Sequence, residues 1–150
     1  MLTGVINLGG ATVDGILVDH EGDVYSDLSF HDPKGGCFAL AREIKLSAEA
    51  EHPEIESSVD LAEYMDHLKG GYKYILYNCD YSSVVKAEVD RHFKRVIDKI
   101  KTSWQPEMKR VEKIVFTGGL TYTIKDRLNH PVFRVAESPE KANTLGILGK

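Results

Sequence analysis

The chain is poor in cysteine: only Cys37 and Cys79 occur in 150 residues. They form no CxxC pair, which excludes the usual paired-thiol ribbons and redox motifs. Free thiols in a reducing compartment are the expectation. Positive charge is not in excess either. Lys and Arg number 19 against 23 Asp and Glu, a net charge of −4, whereas a phosphate-neutralising face for nucleic acid needs the opposite balance. No apolar run approaches the roughly 18 residues of a membrane span. Met1–Gly4 lacks the charged segment and apolar core of a secretory leader. The expectation is a cytoplasmic protein with neither membrane nor direct nucleic-acid contact. The histidines, His20, His31, His52, His67, His92 and His130, show no metal-ligand spacing and are expected at the surface. Two phosphate-binding signatures are missing as well, GxxxxGK[ST] and GxGxxG.

What is present is ordinary for a folded domain: 42% hydrophobic and 28% charged residues. The length fits one domain, residues 1–150. Thr3–Leu8 and Thr12–Val18 read as strands joined by Gly9-Gly10-Ala11, and Val24–Phe30 alternates enough to be a third, which makes an antiparallel meander. Asp32-Pro33-Lys34-Gly35-Gly36 breaks the pattern. A helix is predicted from Gly36 to Ala48. Another, capped by Ser58, starts near Val59, carries Leu61, Tyr64, Met65 and Leu68 on one face, and ends at Gly70-Gly71. Tyr74–Tyr77 is either a short strand or a connection. Ser82 or Ser83 opens the strongest helical stripe, Val85, Val89, Phe93, Val96, Ile97, Ile100 and Trp104, and Pro106 stops it. Val111–Phe116 reads as a strand, Leu120–Leu128 as a helix, Val132–Val135 as a strand and Pro139–Leu148 as a last helix. A meander followed by strand–helix crossovers implies an α/β fold with a mixed sheet flanked by helices.

Three glycine pairs, Gly9-Gly10, Gly35-Gly36 and Gly118-Gly119, fall at boundaries between predicted elements. Taken singly, each reads as turn chemistry, since glycine is the common turn residue. Taken together they suggest backbone that must approach a ligand. In a hairpin, Gly9-Gly10-Ala11-Thr12 can wrap phosphate oxygens with successive N–H groups and the Thr12 hydroxyl. Gly118-Gly119 at a strand-to-helix turn, and Gly35-Gly36 opening a helix, would present the positive end of a helix dipole.

Three segments carry a resemblance. "TGVINLGGATVDGILVDHEG" (Thr3–Gly22) resembles the second phosphate hairpin of the actin-type ATPases, D-x-G-x-x-T-x-D, a superfamily that includes sugar kinases and DnaK-type chaperones. "KIVFTGGL" (Lys113–Leu120) resembles the adenosine motif of that superfamily. "SPEKANTLGILGK" (Ser138–Lys150) resembles the C-terminal P-x-x-A-N-x-x-G of the plasmid-segregation actins, the ParM/StbA group. The resemblance covers nearly the whole chain and implies the second, C-terminal domain of such an ATPase: a ribonuclease H-like domain with a mixed five-stranded sheet. It implies ATP, or GTP, with Mg2+. Gly9, Gly10, Ala11 and Thr12 would hold the β- and γ-phosphates, with Asn7 and Asp14 near metal and phosphate. Gly35 and Gly36 would border the ribose, and Gly118, Gly119 and Leu120 the adenosine. No direct metal ligand and no catalytic base is identified. The implied partners are an N-terminal half, further copies in a filament, and a DNA-bound adaptor protein.

The sequence departs from the pattern at Asn7, where the motif has aspartate. An amide lacks the charge that favours hydrated Mg2+, and a buried strand amide is the alternative reading. Asp14 reads equally as a solvated turn carboxylate. Nothing precedes Met1, so the chain is expected to be half of a two-domain clamp and inactive alone. Two other functions fit the same fold: a structural or interaction module without nucleotide, and a domain of a superfamily kinase or reactivating factor.

Overall fold

The computed structural model of the protein describes residues 1–70 and 73–136. Strand β1 (Leu2–Leu8) turns back into β2 (Val13–Val18), with Leu8 opposite Val13 and Thr3 opposite Val18. Period-two alternation places Leu2, Ile6, Leu8, Val13 and Leu17 on one face, and all of them are buried. Strand β3 (Phe30–Asp32) adds to β2, also antiparallel. The meander is therefore real, but its third strand begins where the predicted one, Val24–Phe30, ends. Val24 makes a single bridge to Val18, and Ser26–Leu28 is a 3-10 turn. A remote anchor fixes this arrangement: the Trp104 indole donates to the Leu28 carbonyl at 2.8 Å.

Helix α1 (Cys37–Glu51) runs one turn past its predicted end at Ala48. Helix α2 (Leu61–Gly70) starts later than Val59. The Ser58 hydroxyl turns to the Glu56 carboxylate rather than capping, and the Asp60 carbonyl accepts the Glu63 amide instead. Tyr74–Tyr77 resolves into a hairpin of two short strands, β4 (Ile75–Leu76) and β5 (Cys79–Asp80). Helix α3 (Ser82–Trp104) then crosses the core with Val85, Val89, Val96, Ile100 and Trp104 buried. Phe93 and Ile97 are only half-buried at its margin. His92 is buried and His67 is held by the Tyr81 hydroxyl, so neither is the surface histidine expected of it.

After a 3-10 segment, Gln105–Arg110, strand β6 (Val111–Thr117) pairs in parallel with β1. The predicted helix Leu120–Leu128 is one α-helical turn, α4 (Thr121–Ile124), followed by a 3-10 turn at Lys125–Arg127. Strand β7 (Phe133–Val135) pairs in parallel with β6. The sheet order is β3-β2-β1-β6-β7, the mixed five-stranded sheet that was expected. The predicted last helix, Pro139–Leu148, and Gly71 lie outside the described residues. Among the described residues, no helix is long and apolar enough to cross a membrane.

Candidate functional site

Because β1 and β6 run parallel as neighbours, their C-terminal ends open onto the same edge of the sheet. Ligands of open α/β sheets gather outside such ends. From β1 comes the turn Gly9–Thr12, and from β6 the turn Gly118–Leu120. The two are stitched together: the Leu120 amide donates to the Leu8 carbonyl at 3.2 Å. The start of α1 meets the same rim, with the Cys37 and Phe38 amides donating to the carbonyls of Gly9 and Gly10 at 3.0 and 2.8 Å. The end of α2 closes it. The Thr123 hydroxyl donates to the Leu68 carbonyl at 3.4 Å, and the Lys69 ammonium pulls down the Cys37 thiol, which burial pushes up. All three glycine pairs thus lie around one rim, although the first and the last are more than 100 positions apart in the chain.

The glycines differ in what they face. A Cβ on Gly36 would lie 2.4 Å from the Ala11 carbonyl carbon and 2.6 Å from the Gly10 oxygen. Its missing side chain lets α1 close on the hairpin. Gly118 has φ +93°, and a Cβ there would meet the Leu8 oxygen at 2.4 Å, so both backbone conformation and contact demand glycine. Gly119 has nothing within 4 Å of its Cβ position and faces open space.

Two expectations about helix dipoles change. The first amides of α1 bind hairpin carbonyls, so this end braces the Gly9–Thr12 turn instead of offering itself to an anion. Helix α4 has four residues, too few for an appreciable dipole. The donors that remain belong to the hairpin: among the described residues, the amides of exposed Gly10 and Ala11 have no hydrogen-bond partner. The Thr12 hydroxyl donates to Asp14 Oδ2 at 2.9 Å, and Asp14 Oδ1 lies 2.5 Å from His31 Nδ1. Asp14 is therefore a brace for Thr12 rather than a free carboxylate. Asn7, opposite Asp14 and beside Thr117, is half-buried between the two turns.

Several residues at the rim carried no signal in the sequence. Arg95 donates to both oxygens of buried Asp32, at 2.8 and 2.9 Å, and holds its carboxyl well below the usual carboxylate range. The pair ties the Gly35-Gly36 turn to α3 across 63 positions of sequence. Lys69, near the end of α2, and Tyr122 of α4 are exposed. The buried Thr121 hydroxyl lacks a partner among the described residues. A cavity of about 720 Å3 lies between α1 and α3 and reaches the rim at Ala11, Phe38 and Arg95.

An open glycine and two amides unpartnered among the described residues suit an anionic ligand with a flat apolar end. They do not suit a metal ion by themselves. Both Asp14 oxygens are engaged and Asn7 is neutral, so neither of these two residues offers a free carboxylate for Mg2+.

This is an actin-like α/β domain. Residues 5–130 match the family described as archaeal actin homologue MreB-like, C-terminal, and the chain belongs to that family. Its fold is similar to that of a native archaeal actin homologue, with a TM-score of 0.82 at 18% identity over 98% of this chain and 47% of that one. The same homologue in complex with ADP gives 0.78 at 18% identity, over 97% and 47%. A 15-stranded ParM filament from Clostridium botulinum gives 0.81 at 15% identity, over 99% and 44%. The chain spans less than half the length of each. No curated protein matches it in sequence.

Proposed function

We propose that the chain is the nucleotide-binding half of an actin-like, filament-forming ATPase of the plasmid-segregation type. The single observation that carries this reading is the convergence of the Gly9–Thr12 and Gly118–Leu120 turns on one rim, with Gly119 open and the Gly10 and Ala11 amides unpartnered among the described residues. The ADP complex of a structure of like fold supports the ligand class, and the ParM filament supports assembly. Phosphate oxygens would take the Gly10 and Ala11 amides, steadied by Thr12. The adenosine would lie over Gly119 and Leu120, with the ribose toward Lys69; Gly35 and Gly36 are buried and would support the hairpin rather than touch the ligand.

Mg2+ would be held through the phosphates, by groups outside this chain. When bound it would neutralise charge on the γ-phosphate during attack by water. This chain's residues bind and orient the nucleotide, and an N-terminal half would supply the opposite wall and exclude water. Residues 1–150 would act as a single second domain. A cytoplasmic location and a DNA-bound adaptor belong to the same reading. Asn7 in place of the motif's aspartate favours a second reading, a domain that binds nucleotide without hydrolysing it.

Calorimetry and phosphate release on the 150-residue chain test the proposal. Half a clamp leaves its phosphate contacts solvated, so the expected affinity for ATP is roughly millimolar, about −4 kcal/mol, with negligible turnover. Gly119→Val should abolish that binding. Binding that is absent, or indifferent to Gly119→Val, overturns the nucleotide reading. Micromolar affinity with steady hydrolysis overturns the half-clamp.

A further inference from the structure

Far along α1 from the rim, three potential metal ligands meet. His52 ends α1, its amide donating to the Ala48 carbonyl at 2.9 Å. Glu54 follows in a turn closed by the Ile55 amide on the His52 carbonyl at 2.9 Å, and Ile55 is buried. Cys79 stands on the β4–β5 hairpin, with its sulfur 3.4 Å from Glu54 Oε2. One ligand atom from each of the three lies within 4.8 Å of the other two. We propose that His52, Glu54 and Cys79 form a zinc site that clips the β4–β5 hairpin to the end of α1.

The donor set selects the ion. Thiolate, imidazole and carboxylate together are a zinc set, while Mg2+ and Ca2+ prefer oxygen alone. Around tetrahedral zinc, with bonds of about 2.0–2.3 Å, ligand atoms stand roughly 3.5 Å apart. The cluster needs to close by at most about 1.3 Å from its present spread, and exposed Glu54 is free to move. Three protein ligands leave a fourth position for water. Both supports are fixed in the core: α1 through Ala48, and the hairpin through Leu76 and Tyr81.

The hairpin has a use for such a clip. It has two residues per strand, turned by Tyr77 and Asn78 at φ 49° and 60°, and a ribbon that short is marginal by itself. Capture of the ion exchanges the Cys79 S–H bond for a Zn–S bond, with the proton leaving to solvent.

Cobalt(II) titration of the full chain, without nucleotide, reads the site directly. The expected result is one Co2+ per chain with a thiolate-to-metal charge-transfer band, displaced by Zn2+ and untouched by excess Mg2+. Cys79→Ser should remove the band. His52→Ala should weaken binding at least tenfold, since even loss of an outer partner costs 10–100-fold. Zn2+ should raise the Tm of the parent chain and leave that of Cys79→Ser unmoved. No charge-transfer band, or a band that survives Cys79→Ser because it comes from buried Cys37, overturns the assignment. Nucleotide is absent throughout, so neither result bears on ATP binding.

Discussion

The turn before α1 and the turn after β6 each carry a glycine pair, and they are put to different use. In the first, Gly36 lies with its missing Cβ against the backbone of Gly10 and Ala11. In the second, Gly118 supplies a left-handed residue tight against Leu8, and Gly119 beside it faces open space. Only the last of these leaves backbone exposed to a ligand. A glycine pair therefore marks a close approach, and what approaches can be the protein itself.

Substituting each glycine should separate these uses. Gly118→Ala is expected to cost the most, about 3 kcal/mol, because strained φ and backbone overlap add together. Denaturant unfolding measures it, and a cost below about 1 kcal/mol would mean that the turn relaxes freely. Gly36→Ala should follow at about 2–3 kcal/mol from overpacking alone. It should also alter hydrogen exchange at Phe38, whose amide holds the Gly10 carbonyl.

The Asp32–Arg95 pair sharpens the same contrast, since it secures the closed turn. Arg95→Ala leaves a buried carboxylate unpaired. The guanidinium is half exposed and screened, so a loss of about 2 kcal/mol is expected at neutral pH. The sign of the pH dependence follows from Asp32, whose carboxyl is depressed chiefly by Arg95. Its contribution is present above the ordinary aspartate range, near 3.9, and is lost as the pH falls through the folded value. The stability gap between parent and variant should therefore narrow in acid. A gap that is constant from neutral to acid pH would deny the pair its electrostatic role.

Gly119→Ala has the smallest expected effect on stability, within about 0.5 kcal/mol, because nothing stands where the methyl would go. Thermal unfolding checks this. A large loss would show that the open side of the rim is closed by protein after all.

Much of the architecture was legible in the residues. The alternation of Leu2–Leu8 and Val13–Val18 and the stripe from Val85 to Trp104 fix elements through periodic burial, a local property of the chain. The third strand and the extent of α4 were not, because each is held by a remote contact, and the cap of α2 was not, because the Ser58 hydroxyl turns to Glu56 instead. Trp104 holds the Leu28 carbonyl, and Thr123 reaches the end of α2. The histidines show the same limit. Linear spacing gave no ligand pattern, yet the end of α1 and the β4–β5 hairpin bring His52 and Glu54 to Cys79.

By itself the sequence determined the mixed α/β sheet, the glycine turns that bound its rim, and the likeness to actin-type ATPases. Those features depend on period, turn chemistry and motif order, which are written along the chain. Only the tertiary structure decided which glycine faces open space, that His31 holds Asp14, that Asp32 is paired with Arg95, and that three metal-binding side chains meet. Those outcomes depend on distances between segments far apart in sequence, set when the sheet and helices close on a common core.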